Sequence, residues 1–211
     1  MARTVRLGVL VSGRGSNLQA IMDRCQAGKL DAEVVIVISN VSAAQALARA
    51  QQAGIATACF PRKDFPTREA RDVEILKTLQ QSRVDLVILA GYLGILSTDL
   101  IAAFRDRIMN IHPSLLPAFG GPDHHGLRVH EAVLRRGVKI TGCTVQFVTE
   151  EVDAGPIIVQ RAVPVSEGDT PETLSDRVLQ QEHEAYSEAI QLFAEGRLRV
   201  EEHRVHILPP R

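Results

Sequence analysis

Short apolar runs alternate along this chain with longer stretches whose apolar residues recur at helical spacing. Leu7-Gly-Val-Leu-Val-Ser12 is continuous in the way of a strand buried on both faces. A helix is predicted from Ser16 to about Gln26, a second strand at Val34–Ile38, a helix over about Ala43 to Ala53 and a third strand at Thr57–Phe60. Between Thr67 and about Gln81, the residues Ala70, Val73, Leu76 and Leu79 recur every third position and predict one buried helix face. Leu86–Ala90 and Ile108–Ile111 read as the fourth and fifth strands. This alternation predicts an α/β fold: a mostly parallel, twisted sheet with helices on both faces. In such sheets, ligands bind outside the carboxyl ends of the strands.

The second half changes character. Lys139–Phe147 and Ile157–Val165 are long strands joined by a turn-rich link. A long helix is expected from about Pro171 to Phe193, with Asp169 or Thr170 as its N-cap. The polar tail after Arg197 reads as peripheral. With no repeat, low-complexity tract or linker, the 211 residues predict a single domain, Rossmann-like in pattern. Its halves are residues 1–100, residues 101–197 and a tail of 198–211.

Composition narrows the partners. Hydrophobic residues make up 45% and charged residues 23%, as in ordinary globular proteins, and the formal net charge is −1. No overall basic field would gather nucleic acid, and Arg135-Arg136 reads as the solvated end of a helix. The three cysteines, Cys25, Cys59 and Cys143, form no CxxC pair, so a disulfide framework is not expected. Cys59 and Cys143 lie in apolar runs and read as small core residues. Neither a targeting stretch nor a run of membrane-span length is seen, and a cytoplasmic location is the expectation.

Three segments carry candidate chemistry. Ser12-Gly-Arg-Gly-Ser-Asn17 joins the first strand to the first helix. Its glycines allow a tight turn, and the helix start offers unpaired N–H groups that suit one phosphate. It is neither GxGxxG nor a P-loop, and it reads equally well as a plain turn capped by Ser16 or Asn17. Asn110-Ile-His-Pro-Ser-Leu-Leu-Pro117 follows the fifth strand, where alternation puts Asn110 and His112 on one side. Pro113 keeps His112 extended. An amide and an imidazole side by side suit oxyanion stabilisation and proton transfer, although an isolated Asn-x-His is more simply structural. Asp153-Ala-Gly-Pro156 is either a turn or the carboxylate that keeps His112 charged.

At these residues the chain resembles the phosphoribosylglycinamide formyltransferases, folate-dependent enzymes of purine synthesis. The resemblance runs in order through Ser12–Ala20, Ile38–Asn40, Leu89–Tyr92, Asn110–Phe119, Gly142–Val148, Val152–Ile158 and Gln181–His183. It implies that the amine of glycinamide ribonucleotide attacks the formyl group of 10-formyltetrahydrofolate, with no metal and no covalent enzyme intermediate. By the same resemblance, Asn110 and His112 stabilise the oxyanion and handle the proton, and Asp153 supports a charged His112. Gly15, Ser16 and Asn17 would hold the substrate phosphate, and Glu182 would contact the ribonucleotide. Arg68, Leu93, Gly94, Ile95, Leu96, Asn110, Glu150, Glu151, Val152 and Asp153 would surround the folate.

The sequence departs from the family pattern in places. Gly94 stands where many members carry an arginine, and Gln146 replaces a histidine and is left out of the catalytic set. The segment Phe119–Gly126 is longer and more polar than usual. Its His124-His125 pair reads as part of a mobile substrate-side loop rather than as a metal site. Small molecules are the expected partners, with no nucleic acid or membrane, and the expected assembly is a monomer or homodimer.

Formyltetrahydrofolate hydrolase is the nearest alternative, but its usual N-terminal regulatory domain and His-His-Ser motif are not seen. The methionyl-tRNA formyltransferases add an RNA-binding domain. A non-catalytic nucleotide-binding domain would explain the glycine turn but not the trio Asn110, His112 and Asp153. A dehydrogenase would need the dinucleotide spacing and an acidic residue after the second strand.

Overall fold

The computed structural model describes residues 4–210, and its contacts divide the chain into two compact units that meet between Asn110 and Ile111. The fold is α/β with mostly parallel strand pairing, as the apolar runs require.

In the first unit, β1 (Val5–Val11), β2 (Ala32–Ser39), β3 (Ala56–Cys59), β4 (Leu86–Leu89) and β5 (Ile108–His112, which crosses the boundary) follow the order β3-β2-β1-β4-β5. Every pairing among them is parallel. Leu7, Val9, Leu10, Leu86, Val87 and Ile88 are buried without alternation, as strands covered on both faces should be. Helices α1 (Ser16–Gln26), α2 (Gln45–Gln52), α3 (Arg68–Gln81) and α4 (Thr98–Ala103) connect the strands. Gly8 is confined by this packing: a Cβ there would lie 2.5 Å from Leu79 Cδ2. The short α4, capped by Ser97, and the 3-10 turn at Arg62–Asp64 escape periodicity because each is under two turns long.

α3 forms where predicted, with Thr67 accepting from the Ala70 N–H, but its buried face is different. The inward residues are Arg71, Asp72, Ile75 and Leu79, whereas Val73 is 56% exposed. A strict every-third spacing drifts by about 60° per step around a helix of 3.6 residues per turn, so Ala70 and Leu79 point to opposite sides. The buried face instead carries an ion pair. Arg71 Nε and Nη2 donate to Asp72 Oδ1 at 2.9 and 2.7 Å. Arg71 Nη2 also donates to the Ile95 carbonyl, and Asp72 Oδ2 accepts from the Ser97 N–H at 2.6 Å.

In the second unit, β6 (Ile140–Phe147) pairs antiparallel with β7 (Ile157–Pro164). α5 (Leu127–Arg136) and the long α6 (Pro171–Ala194) complete the layer. α6 starts with a capping box in which Thr170 and Thr173 exchange hydrogen bonds, and Pro171 sits in the first turn. Arg135-Arg136 does end α5, closed by Gly137 at φ 72°. The tail is more ordered than its polarity suggested. β8 (Leu198–Glu201) and β9 (Arg204–Ile207) form a hairpin whose β9 meets β7 at Ile157↔Arg204. Its two-residue turn uses Glu202 at φ 53° and His203, without the Asn-Gly or Asp-Gly signal that announces such turns.

Replacing one member of the buried ion pair should be costly. Asp72→Ala leaves the Arg71 guanidinium uncompensated and frees the Ser97 N–H. The expected loss is about 3–5 kcal/mol of unfolding free energy, read from urea denaturation midpoints.

Candidate active site

In the first unit, the glycine-rich turn is a helix start without a side-chain cap. The N-cap is Gly15, not Ser16 or Asn17, which are the first two helical residues. Gly15 sits at φ 78°, ψ 35°, and a Cβ there would also lie 2.7 Å from Ala46 Cβ, so both conformation and space demand glycine. The Ala46 N–H donates to the Gly13 carbonyl, and Arg49 Nε donates to that of Arg14. With no side-chain cap and no acidic residue in its first turn, α1 presents amide N–H groups and its positive end. Such a terminus suits a phosphate group.

Ser12 ties three strand ends together. Its Oγ donates to Asn40 Oδ1 at 2.6 Å and accepts from the Leu93 N–H at 2.9 Å. The segment after Tyr92 is therefore pinned at Leu93 by Ser12, at Ile95 by Arg71 and at Ser97 by Asp72. Between these points Leu93 and Ile95 leave large apolar side chains exposed, at 66% and 52%. Among the described residues, no hydrogen bond is made by the N–H groups of Gly94, Ile95 or Leu96. Exposed apolar side chains beside open amides suit a flat ring with polar edges. Gly94 packs under Tyr92, where a Cβ would come 2.6–2.8 Å from the phenol ring and hydroxyl. Burial pushes the Tyr92 phenol up to about 12. Arg68 is exposed and paired with Glu69, so Arg71 and Asp72, which periodicity alone did not single out, hold this segment.

In the second unit, His112 and Asp153 come together. His112 is buried, and its Nδ1 lies 3.5 Å from Asp153 Oδ2, an ion-pair distance longer than a good hydrogen bond. The other ring nitrogen, Nε2, is 2.8 Å from the Phe119 carbonyl. An ionised carboxylate and a carbonyl only accept, so both are satisfied together when both ring nitrogens carry protons. Asp153 also accepts from the Gly121 N–H at 2.9 Å and from Gln146 Nε2 at 3.3 Å. Asn110, half-buried, precedes His112 by two residues on β5 and shares its side of the strand.

The platform after His112 is held from β6 and β7. Thr144 Oγ1 donates to the Ser114 carbonyl and accepts from the Leu116 N–H. Gln160 Nε2 donates to the Leu116 carbonyl at 2.9 Å. Ser114 Oγ donates to the Ala118 carbonyl, and the Leu116–Pro117 peptide is cis. Thr144 and Gln160 are separated from the motif by tens of residues, and no local pattern marks them as its supports.

The remaining candidates vary. Glu182 is buried on α6. Burial, reinforced by Glu182, pushes the Cys143 thiol up to about 12, so Cys143 is an inert core residue. Cys59 is half-buried rather than core. Glu150, Glu151 and Val152 lie exposed in the turn before Asp153. His124 packs edge-on against Phe119, and the described residues hold no group of three or more His, Cys, Asp or Glu placed to bind a metal ion. His130 on α5 is buried, and its Nδ1 meets no partner among the described residues. Burial first, then the neighbouring His112, lowers its pKa. No helix of the described residues is long and apolar enough to cross a membrane.

Residues 5–190 match the family described as formyl transferase. The phosphoribosylglycinamide formyltransferase of Escherichia coli (strain K12) is 43% identical over 206 residues, covering 96% of this chain and 95% of that protein. The chain belongs to the formyl transferase family, among its phosphoribosylglycinamide formyltransferases. The crystal structure of glycinamide ribonucleotide transformylase 1 from Symbiobacterium toebii is similar at a TM-score of 0.94 and 49% identity, over 99% of this chain and 96% of that one. The trifunctional purine biosynthetic protein adenosine-3 of Bos taurus is 46% identical over 200 residues, 95% of this chain. There the chain spans only 19% of the relative's length.

Gly155 fixes the loop that carries Asp153. The Phe147 N–H donates to the Pro156 carbonyl, and the Phe147 carbonyl lies against Gly155 so closely that any Cβ would overlap it. Gly155→Ala should push the 148–156 loop off the end of β6. The expected outcome is a loss of roughly 1–3 kcal/mol in thermal denaturation, with the Asp153 contacts to Gly121 and Gln146 broken in a crystal structure of the variant.

Proposed function

We propose that this chain transfers the formyl group of 10-formyltetrahydrofolate to the amine of 5'-phosphoribosylglycinamide, giving formylglycinamide ribonucleotide and tetrahydrofolate in purine biosynthesis. The observation that carries this reading is the buried His112–Asp153 pair, in a chain similar to phosphoribosylglycinamide formyltransferases over nearly its full length. The uncapped start of α1 supports a phosphate on Gly15, Ser16 and Asn17, with Glu182 assigned to the ribonucleotide. The pinned segment Leu93–Leu96 supports a folate ring, with Arg68 and Glu150–Asp153 assigned to the same cosubstrate.

In this mechanism the substrate amine is the nucleophile. Its nitrogen bonds to the formyl carbon while the carbonyl oxygen takes up charge. Asn110 and a protonated His112 donate to that oxyanion. The formyl oxygen takes the place at Nε2 that the Phe119 carbonyl occupies, and Asp153 faces the ring from the other side at Nδ1. The bond from the folate N10 to the formyl carbon then breaks. The proton lost by the attacking amine is passed to N10, with His112 positioned to exchange it.

His112→Ala should reduce formyl transfer to glycinamide ribonucleotide by about 10²-fold or more, assayed with hydrolysis of the folate measured alongside. Near-normal transfer by this variant would sink the assigned role. Asp153→Asn should slow turnover and move the pH profile of kcat; an unmoved profile with full activity would reduce Asp153 to a turn residue. Hydrolysis with no transfer by the parent protein would favour the hydrolase reading instead.

A further inference from the structure

Gln146 lies at the end of β6 beside the pair that the proposed mechanism uses. The residue is 2% exposed, and its Nε2 donates to Asp153 Oδ1 at 3.3 Å. A β-bulge places it there. The β6–β7 register runs Val145↔Val159 and then Gln146↔Ile157, so Ile158 is accommodated as an extra residue. Bulges re-aim side chains next to functional sites. The Phe147 N–H to Pro156 carbonyl bond and the close approach of Gly155 bring the Asp153 loop back onto the same strand end.

The amide's two ends have unequal fates. The nitrogen meets the carboxylate, since the oxygen would repel it. Oε1 is buried and meets no hydrogen-bond partner among the described residues. An apolar side chain of the same length would avoid that unpaired oxygen, so a polar residue at 146 carries a cost to the fold. What the amide supplies is a donor without charge. It holds one carboxylate oxygen without a second cation competing with His112 for Asp153.

We propose that Gln146 is a positioning residue for formyl transfer: it holds Asp153 Oδ1 so that Oδ2 faces His112 and the Gly121 N–H. The proposal rests on the formyl transfer reading. Among the described residues, Asp153, on the loop before β7, and His130, on α5, are titratable groups that face His112.

The test compares the parent with Gln146→Met and Gln146→Glu. Gln146→Met removes the donor and the unpaired oxygen together. It should melt at or above the parent temperature, keep KM for both substrates within about threefold, and lose roughly 10–100-fold in kcat with a displaced pH profile. Gln146→Glu puts a second carboxylate against Asp153. It should lose more activity near pH 8 and regain part of it as the pH falls and the new carboxyl becomes a donor. If Gln146→Met does not fold, this recovery decides the matter, and its absence overturns the proposal. A Gln146→Met enzyme with kcat within twofold of the parent and an unmoved profile also overturns it. The His112 titration, followed by NMR in all three proteins, needs no substrate. A shift in Gln146→Met supports the positioning of Asp153 even if the parent transfers no formyl group; an unmoved titration in an active parent refutes it.

Discussion

A carboxylate whose side chain is only 10% exposed must be met by donors on most of its lone pairs, and the second unit is arranged around this need at Asp153. The Gly121 N–H, the Gln146 amide and the His112 ring each approach one of its two oxygens. Gln146 precedes Asp153 by seven residues, and Gly121 and His112 lie more than thirty residues away. Each contact depends on a separate piece of backbone: the left-handed Asp153 at φ 56°, the bulge between Val145 and Gln146, and the Gly155 approach to Phe147. The partners are also matched in charge. One cation-capable ring faces two neutral donors, which leaves the negative charge of Asp153 directed at His112.

The first unit meets a comparable demand with a different device. Its strand-end loops would be loose by themselves, because parallel strands end in open backbone. Ser12 links the ends of β1, β2 and β4 through one hydroxyl that both donates and accepts. Behind it, the Arg71–Asp72 pair braces the segment from Leu93 to Ser97. A buried ion pair is poor evidence of net stability, since desolvation offsets much of its attraction. Here its value is geometric: three fixed points hold the segment while the amides of Gly94, Ile95 and Leu96 meet no hydrogen-bond partner among the described residues.

Most of the elements were legible from the chain. The continuous apolar runs marked β1, β2, β4 and β5, because a parallel strand buried on both faces leaves no other pattern. Pro171 and Thr170 marked the start of α6 through the chemistry of capping. The buried face of α3 departs from the apolar spacing because Arg71 and Asp72, charged residues that usually face solvent, satisfy each other in the interior. The β8–β9 hairpin leaves no turn signal in the sequence because Glu202 adopts a positive-φ conformation that its residue type rarely takes. The cap of α1 fell on Gly15 because the packing of Ala46 and the left-handed backbone both exclude a side chain there.

For the candidate site, the sequence by itself determined the residue types: a glycine turn before a helix, an amide and an imidazole two apart on a strand, and an Asp-Ala-Gly-Pro turn. Strand alternation sets Asn110 and His112 on one side, a local constraint that needs no fold. Only the tertiary structure decided that Asp153 meets His112, that Gln146 meets Asp153, and that Thr144 and Gln160 hold the turn between them. Those contacts join residues 7 to 44 positions apart, and their geometry depends on a bulge and a close backbone approach. Neither feature leaves a periodic trace, because each is a singular adjustment of the backbone rather than a repeated pattern of side chains.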